Sequence, residues 1–148
     1  MTKVLVDSNI IIYSLLKGQG GKTSSSLDAI EELAQKNSLV LSSQNLAEVS
    51  RVMTEKAAKP ANLDELKQDI RDLASSSQML HYTLDTVLEA LNISKNSKVH
   101  FFDALLAATM KENSISQIYT ENVRDFSKIP GIVAINPFIQ SGKNGKSK

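Results

Sequence analysis

The chain has no cysteine and no tryptophan, and only three prolines and six glycines among its 148 residues. The absence of cysteine excludes disulfides, zinc–thiolate sites and thiol nucleophiles. No apolar run approaches the roughly 20 residues that a membrane helix needs. The N-terminal segment also lacks the long apolar stretch of a signal peptide, so we expect a cytoplasmic protein. A formal net charge of +1 argues neither for nor against a nucleic-acid partner.

Strand-like and helix-like segments alternate along the sequence. Short apolar runs predict strands at 3–6, 39–42, 79–83, 118–120 and 132–135. Helical periodicity or apolar character predicts helices at 10–16, 27–33, 46–58, 63–73, 87–91 and 102–112. A flexible loop is expected at 18–26 because glycine and serine dominate it. This alternation favours an α/β domain over 1–138, with a central, mainly parallel sheet flanked by helices, and a flexible tail at 139–148.

Four acidic residues lie just past predicted strand ends or near helix starts. Asp7 follows the first strand, Glu48 lies about one turn into the helix after the second, Asp103 opens an apolar helix, and Asp125 follows the strand at 118–120. Open parallel sheets bind ligands outside the carboxyl ends of their strands, so we expect these carboxylates to converge. Converging carboxylates repel one another unless a hard cation such as Mg²⁺ or Mn²⁺ neutralises them.

Each carboxylate also has a purely structural interpretation. Asp7 is a candidate N-cap, and Asp103 suits the positive N-terminal end of its own helix. Glu48 is spaced to pair with Arg51, and Asp125 to cap a turn. Taken together, the four predict a metal-dependent phosphodiesterase, because phosphodiester hydrolysis needs both an activated water and neutralised phosphoryl charge.

The segments that carry these acids resemble the PIN domain, and most closely toxins of the VapC type. They are 4–10 (VLVDSNI), 46–49 (LAEV), 102–108 (FDALLAA) and 119–126 (YTENVRDF), with 135–138 (INPF) similar to that family's last strand. The resemblance covers nearly the whole chain and implies a PIN-like three-layer fold.

The resemblance also implies a ligand set for Mg²⁺ or Mn²⁺. Asp7, Glu48 and Asp103 match the family's three main acidic positions. For the fourth position Asp125 is favoured, and Asn122 and Glu121 stay open as alternatives. Polar support for the carboxylates is expected from the neighbouring residues Ser8, Asn9 and Thr120.

The function implied by the resemblance is that of an endoribonuclease, often the toxin of a toxin–antitoxin pair. The expected partners are an RNA substrate, a second copy of the chain in a homodimer, and a small antitoxin protein that binds the early helices. The alternative is a non-catalytic PIN-like protein that binds RNA or acts as a scaffold. The low aromatic content, 5% of the residues, gives no sign of a stacking platform for single strands.

Overall fold

The structure is a computed structural model, and it describes residues 2–16, 20–59 and 61–139. Part of the loop predicted at 18–26, and all of the predicted tail after residue 139, lie outside the described residues. Within these ranges no helix is both long and apolar enough to cross a membrane.

The described residues form a five-stranded sheet in the order β3-β2-β1-β4-β5. The strands are Val4–Val6 (β1), Leu39–Ser42 (β2), Gln78–Leu80 (β3), Gln117–Tyr119 (β4) and Val133–Ile135 (β5). All four neighbouring pairs run parallel. Strand β1 is central, so the residues that follow it lie beside those that follow β2 and β4. The predicted α/β class with a parallel central sheet is confirmed.

Helices connect the parallel strands, as crossover connections require. They are α1 (Ser8–Leu15), α2 (Gly21–Gln35), α3 (Ser43–Arg51), α4 (Leu63–Ser75), α5 (Leu84–Ser97), α6 (Phe101–Glu112) and α7 (Val123–Phe126). A π-helical segment, Val52–Lys56, continues directly from α3.

The side chains of β1 alternate between two hydrophobic cores, one on each face of the sheet. Leu5 packs with the apolar residues of α6, while Val4 and Val6 pack with those of α1, α2 and α4. Because both faces are covered, β1 and β2 are buried along their whole length. This burial explains why the strands read as continuous apolar runs rather than as alternating patterns.

Several predicted helix boundaries were wrong, and two helices start well before their predicted positions. The segment from Gly21 to Ser26, predicted as loop, is the first part of α2, and the chain turns into that helix at Gly20 with φ +58°. The helix predicted to start at Leu46 starts at Ser43, because the Ser42 hydroxyl caps it by accepting from the Asn45 backbone N–H at 3.0 Å.

Candidate active site

Asp7 stands at the carboxyl end of the central strand, and both of its carboxylate oxygens accept hydrogen bonds. Oδ1 accepts from the Ser8 backbone N–H at 2.8 Å, so Asp7 caps helix α1. Oδ2 accepts from the Thr120 hydroxyl at 2.7 Å. Thr120 follows β4, which pairs with β1, and this pairing brings two residues 113 positions apart into contact. The predicted cap at Asp7 is present, and its second oxygen faces the neighbouring strand's end.

A chain of hydrogen bonds links Asp7 to Asp103 through the loop after β4. The Thr120 hydroxyl that binds Asp7 also accepts from the Asn122 backbone N–H at 2.9 Å. The Asn122 side-chain amide in turn donates to Oδ2 of Asp103 at 3.1 Å. The Asn122 side chain also helps to lower the pKa of Asp125. Asn122 is therefore a donor to Asp103 and also favours the charged form of Asp125.

Asp103, in the first turn of α6, lies in the negative field of the other acids. Burial is the largest cause that raises its pKa to about 6, followed by the charges of Asp7, Asp125 and Glu48. His100, just before the helix, acts in the opposite direction. The four predicted acids are thus close enough to influence one another electrostatically, and the ionised form of Asp103, which still predominates at pH 7, is less favoured than that of an isolated aspartate.

The pKa of Asp7 is raised like that of Asp103, although Asp7 accepts more hydrogen bonds. Burial raises the pKa of Asp7, while the hydrogen bonds from Thr120 and Ser8 lower it, and the charge of Glu48 raises it further. The net shift is upward. A nearby positive charge would relieve this penalty.

Glu48 lies on α3 and is exposed. Its helix is positioned on α1 by a buried polar network around Asn45. The Asn45 amide donates to the Ser8 hydroxyl at 2.9 Å and accepts from the Ser42 hydroxyl at 2.7 Å. Ser8 thus supports the site by joining helices α1 and α3. Within the described residues no ion pair joins Glu48 to Arg51.

Of the four predicted acids, Asp125 is the one that forms an ion pair with another described residue. Lys128 lies 3.2 Å from its Oδ1. The hydrogen bond from Lys128 is the main cause that holds the pKa of Asp125 below its usual range, helped by Asn122 and by the charge of Arg124. Asp125 therefore carries its negative charge at a lower cost than Asp103.

Glu121 belongs to a separate cluster beside these acids. Its carboxylate accepts from the Tyr13 hydroxyl at 2.9 Å and pairs with Lys22 at 2.9 Å. The Tyr13 ring meets Phe138 edge-on at 5.6 Å. Burial raises the pKa of Glu121, but hydrogen bonds from Lys22 and Tyr13 outweigh it and leave the pKa lowered. Asn9 is exposed, and its side chain makes no hydrogen bond to any other described residue.

The sequence profile of the PIN domain matches residues 4–132. The chain belongs to the PIN-domain family. None of the curated proteins is a significant match to the sequence of this PIN domain.

Solved structures similar to this PIN domain include bacterial toxin–antitoxin complexes. A toxin–antitoxin complex from Klebsiella pneumoniae is 22% identical, with a TM-score of 0.67 over 93% of this chain and 100% of that one. A DNA-bound VapBC from Salmonella typhimurium is 20% identical, with a TM-score of 0.67 over 93% and 99% of the two chains. VapC20 of Mycobacterium tuberculosis, a toxin that cleaves the sarcin–ricin loop, is 14% identical, with a TM-score of 0.63 over 84% and 94%. The predicted resemblance to the PIN domain and to VapC-type proteins is confirmed at the level of fold.

The oxygen atoms of the four predicted acids are ligands of the type that a hard divalent cation prefers. All four acids offer oxygen, and the charges of the other three raise the pKa of Asp103. Among the described residues, however, no three Asp, Glu or His side chains already stand in a metal-binding arrangement. The side chain of Glu48 is long and exposed, so rotation about its bonds can move its carboxylate. Convergence of the acids around one ion stays a prediction.

Two concave surfaces were not predicted from the sequence. A groove of about 860 Å³ lies between the end of α1, the π-helical segment and the start of α4, and Leu16, Val52 and Leu66 contribute to its apolar walls. A cavity of about 340 Å³ lies beside Glu48, between α3 and the start of α6. The smaller one is lined by Glu48, one of the four predicted acids, whereas the larger one is lined by none of them.

Proposed function

We propose that this PIN domain is a Mg²⁺- or Mn²⁺-dependent endoribonuclease and the toxin of a VapBC-type pair. The observation that carries the proposal is the hydrogen-bonded path from Asp7 through Thr120 and Asn122 to Asp103. It lies at the carboxyl ends of the central strands, where parallel sheets bind ligands. The structural likeness to a toxin that cleaves the sarcin–ricin loop supports RNA as the substrate.

The residues of the path have distinct tasks in this proposal. Asp7, Glu48, Asp103 and Asp125 would hold the cation, which when bound lowers the pKa of a water and neutralises phosphoryl charge. Thr120 orients Asp7 by donating to its Oδ2, and the Asn122 amide orients Asp103. Such supporting hydrogen bonds fix the direction from which a carboxylate can bind.

We further propose that the groove of about 860 Å³ receives a small antitoxin. Its apolar floor is formed by the early helices, and Lys56, Lys59 and Glu65 lie among the residues that line it. An apolar groove with charged residues at its edge suits the apolar face of a partner helix. The structural neighbours that contain antitoxins support this assignment.

A homodimer is also part of the proposal. Leu84, Leu88 and Leu91 form an exposed apolar row on α5 that would suit such an interface. Their spacing of four and three residues places them on one helical face. Light scattering at micromolar concentration tests this: a dimer is expected, and Leu88→Glu should shift the chain to a monomer. A wild-type monomer at every concentration would contradict the assignment.

A non-catalytic RNA-binding or scaffold protein is the competing function. The observation in its favour is that, in the described part of the chain, no three acidic side chains form a ready metal site. Calorimetric titration with Mn²⁺ separates the two functions. Binding that is lost in Asp103→Asn supports the nuclease, and the absence of binding in the wild type supports the scaffold.

The deciding experiment is RNA cleavage followed by analysis of the product ends. We expect Mg²⁺- or Mn²⁺-dependent cleavage of single-stranded or looped RNA, because a stiff A-form duplex resists bending into the site. A water nucleophile leaves a 3′-hydroxyl and a 5′-phosphate. Attack by the RNA 2′-hydroxyl would instead leave a 2′,3′-cyclic phosphate, which mass spectrometry distinguishes.

Chelation with EDTA and the Asp103→Asn substitution should each abolish cleavage. The matched control is Asp28→Asn, which makes the same change at an exposed position on α2 and should cleave like the wild type. Cleavage that survives EDTA, or cyclic phosphate ends, would contradict the proposed function.

A further inference from the structure

The cavity of about 340 Å³ contains one of the four predicted acids, Glu48, in its wall, and its other lining residues are not acidic. It is lined by Gln44, Ala47, Glu48, Arg51, Tyr82 and Phe102. Its size falls at the lower end of the range typical of small-ligand pockets, about 300–1,000 Å³. One wall, Glu48, is also a candidate metal ligand, so an occupant would touch the residue that borders the proposed cleavage site.

The cavity exposes two aromatic rings. Phe102 is 67% exposed and Tyr82 is 46% exposed, whereas large apolar side chains of a folded domain are usually buried. Phe102 is not loose: its ring meets Phe101 edge-on at 5.5 Å, and its carbonyl accepts from the Gln44 amide at 2.9 Å. That hydrogen bond joins the start of α3 to the start of α6, and so fixes two walls of the cavity relative to each other.

Polar groups in the cavity walls lack partners. Across the described ranges, the Arg51 guanidinium makes no ion pair. The Gln44 Oε1 is buried and has no hydrogen-bond donor among the same residues. A buried acceptor without a donor is costly, so an N–H group of an occupant that reached this oxygen would be favourable.

Aromatic faces, a guanidinium and an amide in a small concave site together match the chemistry of a nucleobase. Unpaired bases stack on aromatic rings and on arginine planes, and they offer N–H donors at their edges. We propose that this cavity binds one unpaired base of a single-stranded RNA, next to the phosphodiester that the acids would cleave. The inference rests on the proposed function for its substrate, and it adds the position at which the strand is held.

A base fits this site better than a protein partner does. The exposed leucines of α5 and the larger groove offer the extended apolar surfaces that proteins bind. The cavity instead is small and mixes aromatic, cationic and amide groups, which suits a flat heteroaromatic ring. A contact with a second copy of the chain is the competing occupant, and the experiments below detect it.

Binding is tested without metal and without phosphate, using the four ribonucleosides as probes. Saturation-transfer NMR with the metal-free chain should show that at least one nucleoside binds, and Phe102→Ala and Tyr82→Ala should each abolish the signal. Leu63→Ala is the matched control, because it also removes an exposed apolar side chain but lies outside the cavity. This control should bind the nucleoside like the wild type.

Cleavage is tested with Mg²⁺ on RNA of mixed sequence. The wild type should prefer one base at a fixed position beside the cleaved bond. Phe102→Ala should weaken that preference and lower kcat/KM by roughly 10- to 100-fold, the size of effect expected when one stacking aromatic is removed. Arg51→Gln should lower kcat/KM less, because the rings would still stack on the base.

The outcomes separate this inference from the proposed function. If the wild type cleaves RNA but binds no nucleoside, and Phe102→Ala keeps the base preference, the inference is overturned and the nuclease stands. If nucleosides bind and cleavage is absent, the base site stands and the nuclease does not. If Phe102→Ala and Tyr82→Ala instead change the oligomeric state in light scattering, without affecting nucleoside binding, the cavity is an interface between copies and the inference is overturned.

Discussion

The two sides of the acidic site differ in how firmly their carboxylates are held. On the β1–β4 side, Asp7 accepts two hydrogen bonds and Asp103 accepts one from Asn122. On the α3 side, Glu48 is exposed, and its carboxylate accepts no hydrogen bond from any other described residue. We call the β1–β4 side, with Asp7 and Asp103, the held side, because its carboxylates are oriented before any ligand binds. Glu48, in contrast, must lose rotamer freedom on binding. The held side should therefore matter most for rate, and Glu48 mainly for affinity.

The largest effect should follow from Asp7→Asn. We expect cleavage to fall by about three orders of magnitude or more, because a neutral amide cannot replace a charged metal ligand. The fold should be kept, since asparagine caps a helix about as well as aspartate. Kinetic assays and thermal melts in EDTA test the two parts. A large drop in melting temperature would mean that Asp7 is mainly structural.

Glu48→Gln should act differently. We expect activity at low Mg²⁺ to fall about 10- to 100-fold, as when a metal site loses part of its support, and much of it to return at high Mg²⁺. Magnesium titrations of the rate for this variant and for Asp7→Asn make the comparison direct. If excess metal rescues both variants equally, the distinction between the held and the exposed side is wrong.

Asn122→Ala tests whether the hydrogen bonds themselves matter. The substitution removes the donor to Asp103, and loss of such an orienting residue should lower the rate by about tenfold or somewhat more. Asn92→Ala, on the exposed surface of α5, is the matched control and should change nothing. Equal rates for the wild type and Asn122→Ala would show that Asp103 needs no orientation.

The smallest effect concerns stability and pH in metal-free buffer. The pKa of Asp103 is about 6 in the folded chain and near 3.8 unfolded, so the folded state holds its proton more tightly. Its contribution to stability is therefore greatest below about pH 4 and is lost as the pH rises through 6. The free energy of unfolding of Asp103→Asn should exceed that of the wild type at pH 7.5 by about 1 kcal/mol, after allowance for partial exposure, and should equal it at pH 4. A difference that does not depend on pH would contradict the shift.

Much of the scaffold could be predicted because local chemistry determines it. The apolar run before Asp7 is buried on both faces of a parallel sheet, and such a strand needs little else to be recognised. The cap at Asp7, which accepts from the backbone N–H of the next residue at 2.8 Å, and the start of helix α1 that it marks are also local features. These depend on neighbouring residues only, which is why the sequence reveals them.

What the sequence could not reveal depends on contacts between distant segments. The donor role of Asn122 exists only because the loop after β4 meets the start of α6. The cavity needs Tyr82 and Phe102, which are 20 residues apart along the chain. The low aromatic content of the sequence gave no sign of this cavity, because the cavity depends on where the two rings lie and not on how many aromatic residues there are. The start of α2 at Gly21 was also missed, because glycine is a poor helix former and the surrounding residues indicated a loop.

The pairing of β1 with β4 also has a consequence for synthesis of the protein on the ribosome. Asp7 is made early, but the hydroxyl that orients it belongs to Thr120, 113 residues later. At about 5–20 residues per second, the first strand waits roughly 6–20 s for its partner strand. Until then the central position of the sheet lacks one neighbour, so the nascent chain has no complete acidic site. The acidic site is therefore completed only after the segment around Thr120 has been translated, so the cleavage proposed for this chain could not begin before then.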